Sequence, residues 1–336
     1  MKLTRLVLAV SLVTVAGMAQ KWPSVPGFEE MKYPADNPMT EAKVELGKML
    51  YFDKRLSADG TRSCYYCHVK EKGLTDGEPV AIGAYNAKLT RSAPTMWNVG
   101  YYPALYWDGR APSLERQVLG AWSSGNMGAS GQSGRPSVDD VVAKLNQVAG
   151  YKPHFKKAFG KDAITKEDAA QAIACFMRTI VSVDSPWFRF RGGDRKAFSA
   201  AAQRGWNVFD QKAKCTNCHD GRLLTDAQFH NVGIGTDKEK PDVGRFTVSK
   251  DEKDTGAFKT PTLLDISKTA PYFHDGSVAT LEEAVDLMSG GGKKNKYLDT
   301  TNLKPYKLSS REKSDLLAFL RSLTVNYTIT DPVLPQ

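Results

Sequence analysis

Cys64-Tyr65-Tyr66-Cys67-His68 and Cys215-Thr216-Asn217-Cys218-His219 are the two places where this chain sets thiols and an imidazole close enough to act together. Two cysteines separated by two residues and followed at once by histidine form the attachment pattern of c-type haem. The thiols add across the vinyl groups as thioethers, and the histidine lies under the iron and supplies an axial nitrogen. Zinc would want four ligands from neighbouring pairs, and a redox dithiol has no use for the histidine. Two complete copies favour two haems c, with His68 and His219 as the proximal ligands. The fifth cysteine, Cys175, lies in the helically spaced run DAAQAIACFMRTIV and reads as a small buried hydrophobe.

The elements that must hold these motifs repeat with them. GKMLYFD precedes the first motif and GWNVFD the second. Pro94-Thr95 stands ahead of Trp107-Asp108-Gly109 as Pro261-Thr262 stands ahead of His274-Asp275-Gly276, and Leu114-Glu115 matches Leu281-Glu282. Each half reads as a helix, a haem motif, a loop, a turn and a second helix. The predicted fold is mainly α: two cytochrome c-like domains, residues 20–185 and 186–336, each binding one covalent haem. Ser113 and Thr280 are suited to capping the second helices, and Thr280 with Glu283 can form a capping box. Beyond Thr280, residues Leu281, Val285 and Met288 share a helical face. Met288 can therefore ligate iron or fill a core gap. Its counterpart in the first half, Ala121, cannot bind metal. Thr165–Val181 reads as a further helix, and Ser309–Leu323 as a closing one with Ser309 and Glu312 as its capping box.

The bulk numbers frame this reading. The chain has 336 residues, 41% of them hydrophobic, enough for two domains. The net charge of +9 suggests acidic partners. Basic and acidic residues are interspersed, and no arginine-rich arm or aromatic RNA-binding string is present, so a nucleic-acid partner is not expected. The start, MKLTRLVLAVSLVTVAGMAQ, sets Lys2 and Arg5 before a short apolar run and small residues at Gly17 and Ala19. Residues 1–19 are thus expected to be a signal peptide, removed on export to a bacterial periplasm.

The chain resembles the bacterial diheme cytochrome c peroxidases and their MauG-type relatives. The likeness covers nearly all of the mature chain. It rests on both haem motifs, PTMWN, YWDGR with Gln117, FHNVG, GAFKTPTL and APYFHDGSVATLEEAVDLM. It implies that Met288 is the sixth ligand of a high-potential haem and that Trp107 relays electrons between the haems. It also implies that Gln117 lies in the distal pocket of the peroxidatic haem, and that the carbonyls of Thr269 and Pro271 hold a calcium ion between the domains. Ser92 replaces the usual asparagine near that ion. Ala84 stands where the common peroxidases place a histidine that caps the first haem at rest, so this haem is expected to be open. The usual pocket glutamate is missing, its place taken by Asn126 or Met127. Glu115, Asp108 or a water are the candidate replacements.

The resemblance implies reduction of hydrogen peroxide to water, with electrons from a small periplasmic cytochrome c or cupredoxin. A MauG-like oxidation of residues on a partner protein is the rival, and a diheme electron carrier the third reading. The oligomeric state is open; relatives often pair, which makes a homodimer one expectation.

Overall fold

The computed structural model describes residues 22–336; the expected signal peptide, residues 1–19, lies outside the described residues. The described chain is mainly helical. In the first half, α1 (Glu41–Phe52) begins where the Thr40 side chain accepts from the Lys43 amide. A single turn, α2 (Cys64–Cys67), carries the first motif. Ser113 caps α3 (Leu114–Ser123). α4 (Val138–Leu145), α5 (Lys152–Phe159) and α6 (Lys166–Met177) follow, with Thr165 and Asp168 forming a capping box at the start of α6. The second half holds α7 (Pro186–Arg191), α8 (Ala200–Asn207), α9 (Phe246–Ser249), α10 (Leu281–Ser289) and α11 (Ser310–Arg321). A short ribbon pairs β1 (Phe229–His230) antiparallel with β2 (Phe258–Lys259).

Each half is built around one close helix crossing, α1 on α6 and α8 on α11. Glycine makes both crossings possible. A Cβ at Gly47 would lie 1.9 Å from the Ala172 carbonyl oxygen, and one at Gly205 would lie 1.9 Å from that of Asp315. These are the equivalent glycines of GKMLYFD and GWNVFD. Around the second crossing Trp187, Phe198, Trp206, Phe209 and Phe319 pack ring against ring.

The repeat extends to the backbone. Positive φ is uncommon outside glycine, yet Leu74 and Leu224 (62° and 53°), Asn98 and Asp265 (60° and 57°), and Tyr106 and Phe273 (67° and 69°) share it at matched positions. The chain past α11 then turns back over the first half. Tyr327 meets Trp97 edge-on at 5.3 Å, and the Gly150 amide donates to the Gln336 carbonyl at 3.0 Å. Among the described residues, no helix is long and apolar enough to cross a membrane.

Candidate active site in two matched cavities

The left-handed turns at Leu74 and Leu224 serve the motif histidines directly. In each half the His Nδ1–H donates to that leucine's carbonyl, His68 to Leu74 and His219 to Leu224, both at 3.1 Å. A carbonyl can only accept, so Nδ1 carries the proton and Nε2 keeps its lone pair. A threonine from the matched Pro-Thr pairs braces each turn. Thr95 donates to the Gly73 carbonyl at 2.7 Å and Thr262 to the Leu223 carbonyl at 2.6 Å. Burial holds both imidazoles below their ordinary pKa, against the opposing pull of the leucine carbonyls. Two neutral, aimed imidazoles with a free Nε2 are what a haem iron requires. Burial pushes the Cys64, Cys67 and Cys215 thiols up to about 12, and no cysteine among the described residues is in a disulfide.

Each histidine opens into its own cavity. The first, about 520 Å³, is lined by Cys64, Cys67, His68, Trp107, Gln117 and Ala121. The second, about 220 Å³, is lined by Cys215, Cys218, His219, Met288 and again Trp107. The facing helices match position by position. Leu114, Gln117, Val118 and Ala121 of α3 border the first cavity as Leu281, Ala284, Val285 and Met288 of α10 border the second. Two residues are exchanged in kind: a polar Gln117 against Ala284, and Ala121 against a thioether at Met288. The second cavity thus has a thioether in its lining, whereas the first has an amide and a methyl group. Ala84 is buried outside the lining of the first cavity. Tyr297 lies outside the second, where its hydroxyl meets Glu252.

A proton source in the first cavity is hard to find. Asn126 and Met127 both line it, so neither alignment of this stretch supplies a carboxyl. Glu115 is not among the lining residues. Burial works to raise its pKa, but hydrogen bonds from Arg178 and Asn37 outweigh that and hold it below the usual value. Asp108 is the one carboxylate that lines the cavity among the described residues, and Arg91 and Arg110 hold it at 2.7 and 3.0 Å. Tyr106, which sequence reasoning passed over, also lines the cavity. Its hydroxyl donates to the Gln117 carbonyl at 2.9 Å, and Arg110 lies 3.5 Å over its ring.

Around the second cavity, His230 is clamped between Asp299 at 2.6 Å and Asp226 at 2.9 Å. The hydrogen bond with Asp226, then those with Cys218 and Asp299, raise its pKa to about 11. Cys218, Asp226 and His230 lie close enough together for a metal, but both imidazole nitrogens face carboxylates and none is left for an ion. His274 is buried and stacks on Phe258 with centroids 3.6 Å apart. Its backbone carbonyl accepts from the Ser92 amide at 2.7 Å. Burial lowers its side-chain pKa to about 4. Tyr306 and Lys259 line this cavity as well, and burial brings Lys259 down to about 8. Nothing in their local sequence sets these two apart.

The cavities meet at a seam. Trp107 lines both, its indole N–H donating to the Ser92 carbonyl at 3.0 Å. The Lys259 amide, from the second half, donates to the Trp107 carbonyl at 2.8 Å. Arg91 bridges Asp108 and Asp242 across the seam, at 2.7 and 2.6 Å. The reciprocal turn at Gly276 presses on Pro79 of the first half so closely that a Cβ would lie 2.2 Å from Pro79 Cα. Between the halves lies a third cavity of about 60 Å³, which brings together Asp76, Ser92, Thr269 and Pro271. Burial raises the Asp76 pKa.

Comparison with known proteins returns the same pattern. Residues 41–196 match the family described as di-haem cytochrome c peroxidase. The chain is 40% identical to the methylamine utilization protein MauG of Methylorubrum extorquens, over 91% of this chain and 85% of that protein. It is 36% identical to the cytochrome-c peroxidase IdrP1 of Denitromonas iodatirespirans, over 98% of this chain and 96% of that protein. A crystal structure of a MauG-like protein associated with microbial copper homeostasis superposes with a TM-score of 0.82 at 33% identity, covering 91% of this chain and 96% of that one.

Proposed function

Because this chain belongs to the di-haem cytochrome c peroxidase family, we propose that it reduces hydrogen peroxide at the cavity of His68, with electrons received through the cavity of His219 and Met288. The family carries two haems c. Here Cys64, Cys67 and His68 would hold one, and Cys215, Cys218, His219 and Met288 the other. Bound there, the haems would supply reversible one-electron chemistry and peroxide activation. The two halves, 20–185 and 186–336, are the units in which this division of labour is read.

The protein's own groups do the rest. Gln117 lines the first cavity and can orient peroxide by hydrogen bonding, but it holds no acidic proton. With Asp108 held between Arg91 and Arg110, the protons for the departing oxygen come from water. Trp107, common to both cavities, is the side chain through which we route electrons. Each peroxide consumes two electrons and two protons and leaves as two waters. The donor is a small cytochrome c or cupredoxin with an acidic docking face. The leader-like residues 1–19 support a periplasmic setting, and a homodimer is in keeping with this reading.

The observation that carries the proposal is the exchange of Ala121 for Met288 on matched helices. Electron paramagnetic resonance of the resting protein tests it. One low-spin signal should be lost in Met288→Ala, while the high-spin signal of the first centre stays. Two low-spin centres in the unaltered protein, with no vacancy on reduction, would overturn it.

The missing pocket glutamate, and Ala84 where a capping histidine would stand, favour a second reading, MauG-like oxidation of residues on a partner protein. It predicts slow peroxide turnover with every small donor, and a covalent mass change in a co-expressed partner.

The seam cavity supports a calcium ion held by the carbonyls of Thr269 and Pro271. Neither carbonyl accepts a hydrogen bond among the described residues, and the cavity of about 60 Å³ has room for an ion with waters. Carbonyl oxygen is a suitable hard ligand.

A further inference from the structure

We propose that Asp76 is a direct ligand of the seam cation, filling the coordination place that Ser92 leaves open. This rests on the calcium reading above and adds to it an anionic oxygen. Asp76 is 7% exposed. Its Oδ1 accepts from the Glu78 amide at 3.1 Å, while its Oδ2 is buried without a hydrogen-bond partner. The nearby ammonium of Lys72 goes to the Asp76 backbone carbonyl at 2.6 Å rather than to the carboxylate. A buried carboxylate oxygen left without a partner costs more than any neutral group would. Native chains keep such an atom where an ion or ordered water completes it.

The cavity that Asp76 lines also contains Thr269 and Pro271. Ser92 lines it too, but its hydroxyl is turned to the Phe273 carbonyl at 2.9 Å. Glu78 lines it as well but is exposed, so the buried set is one carboxylate and two carbonyls, with waters to complete the shell, which is hard-oxygen chemistry suited to calcium. The ligands come from both halves, Asp76 from the loop behind the first haem motif and the carbonyls from the turn ahead of His274. The cation would therefore tie that loop to the second half.

The test uses the full diheme protein, stripped with a chelator and titrated with Ca²⁺ by calorimetry, with metal content read by plasma emission spectrometry. The unaltered protein should take up a single equivalent. Asp76→Asn should weaken binding by about tenfold or more, and Asp76→Ala further, because ligand charge sets affinity at such sites. Glu78→Gln, which removes an exposed neighbouring charge that also lines the cavity, should change affinity by less than about threefold. Infrared difference spectra of the unaltered protein, loaded against stripped, should show a shifted carboxylate band that Asp76→Asn removes. Unchanged affinity in both Asp76 variants, or no carboxylate shift on loading, overturns the assignment while the calcium reading stands. No uptake by the unaltered protein overturns both. In every case peroxidase turnover with the haems in place is a separate measurement, so the peroxidase reading is judged apart.

Discussion

At the residue scale the site is governed by which atoms are left free. Nδ1 of His68 and of His219 is consumed by a carbonyl, and Nε2 is not. His274 likewise has a buried imidazole with an unpartnered Nε2. Burial lowers its pKa from 6.5 to about 4, so the native state resists a proton that the unfolded chain accepts. The stability this gives is complete above pH 6.5 and is lost as pH falls towards 4. The full swing is roughly 3 kcal/mol. Urea midpoints at pH 7 and pH 4.5 should therefore differ by more in the unaltered protein than in His274→Gln; equal pH slopes would remove the basis of this argument. The haem-motif residues were legible in the sequence because covalent attachment fixes their spacing. Asp76 and Tyr306 were not. Their surroundings come from chain segments far away, such as Thr269 beside Asp76 and Cys215 beside Tyr306.

At the element scale the two halves use one frame with different side chains. The capping boxes at Thr280 with Glu283 and at Ser309 with Glu312 form as their sequences indicate, because capping depends on residues three apart. The end of α6 was less legible. The sequence pattern runs to Val181, whereas the helix stops at Met177. Beyond it the Ile180 carbonyl accepts from the Asn98 amide at 3.1 Å, and Ser182 pairs with the Asn98 side chain. Those distant partners compete with the next helical turn and win. The frame also yields a prediction. If α3 and α10 differ in function through Ala121 and Met288, then Ala121→Met should bring a thioether to the first cavity. Peroxide reactivity should fall by roughly tenfold or more, and the high-spin resonance should give way to a second low-spin one. Full activity with an unchanged resonance would show that the α3 face is not aligned with the iron as α10 is.

At the scale of the whole molecule, the proposed electron route depends on the halves being held in register across Trp107, which lines both cavities. The internal repeat was readable because each half keeps its own turns and caps, but repetition says nothing about how two copies face each other. The contacts that decide this lie far apart in sequence: Arg91 with Asp242, the Lys259 amide with Trp107, Gly276 against Pro79, and the tail from Tyr327 to Gln336 over the first half. Arg91 links the halves through its side chain. It forms charge-assisted hydrogen bonds to Asp108 in its own half and to Asp242 in the other, and its side chain is only 16% exposed. Removing it leaves Asp108 with Arg110 but leaves Asp242 only the Gly244 amide, at 2.9 Å. Arg91→Met should cost roughly 2 kcal/mol. It should also slow electron transfer between the centres in flash-reduction experiments, while each centre keeps its own spectrum. Asp242→Asn, which leaves Arg91 its bond to Asp108, should cost less and slow transfer less. If Arg91→Met lowers stability but leaves the transfer rate unchanged, the seam is held in register by its backbone contacts, and the ion pair serves only to keep the halves together.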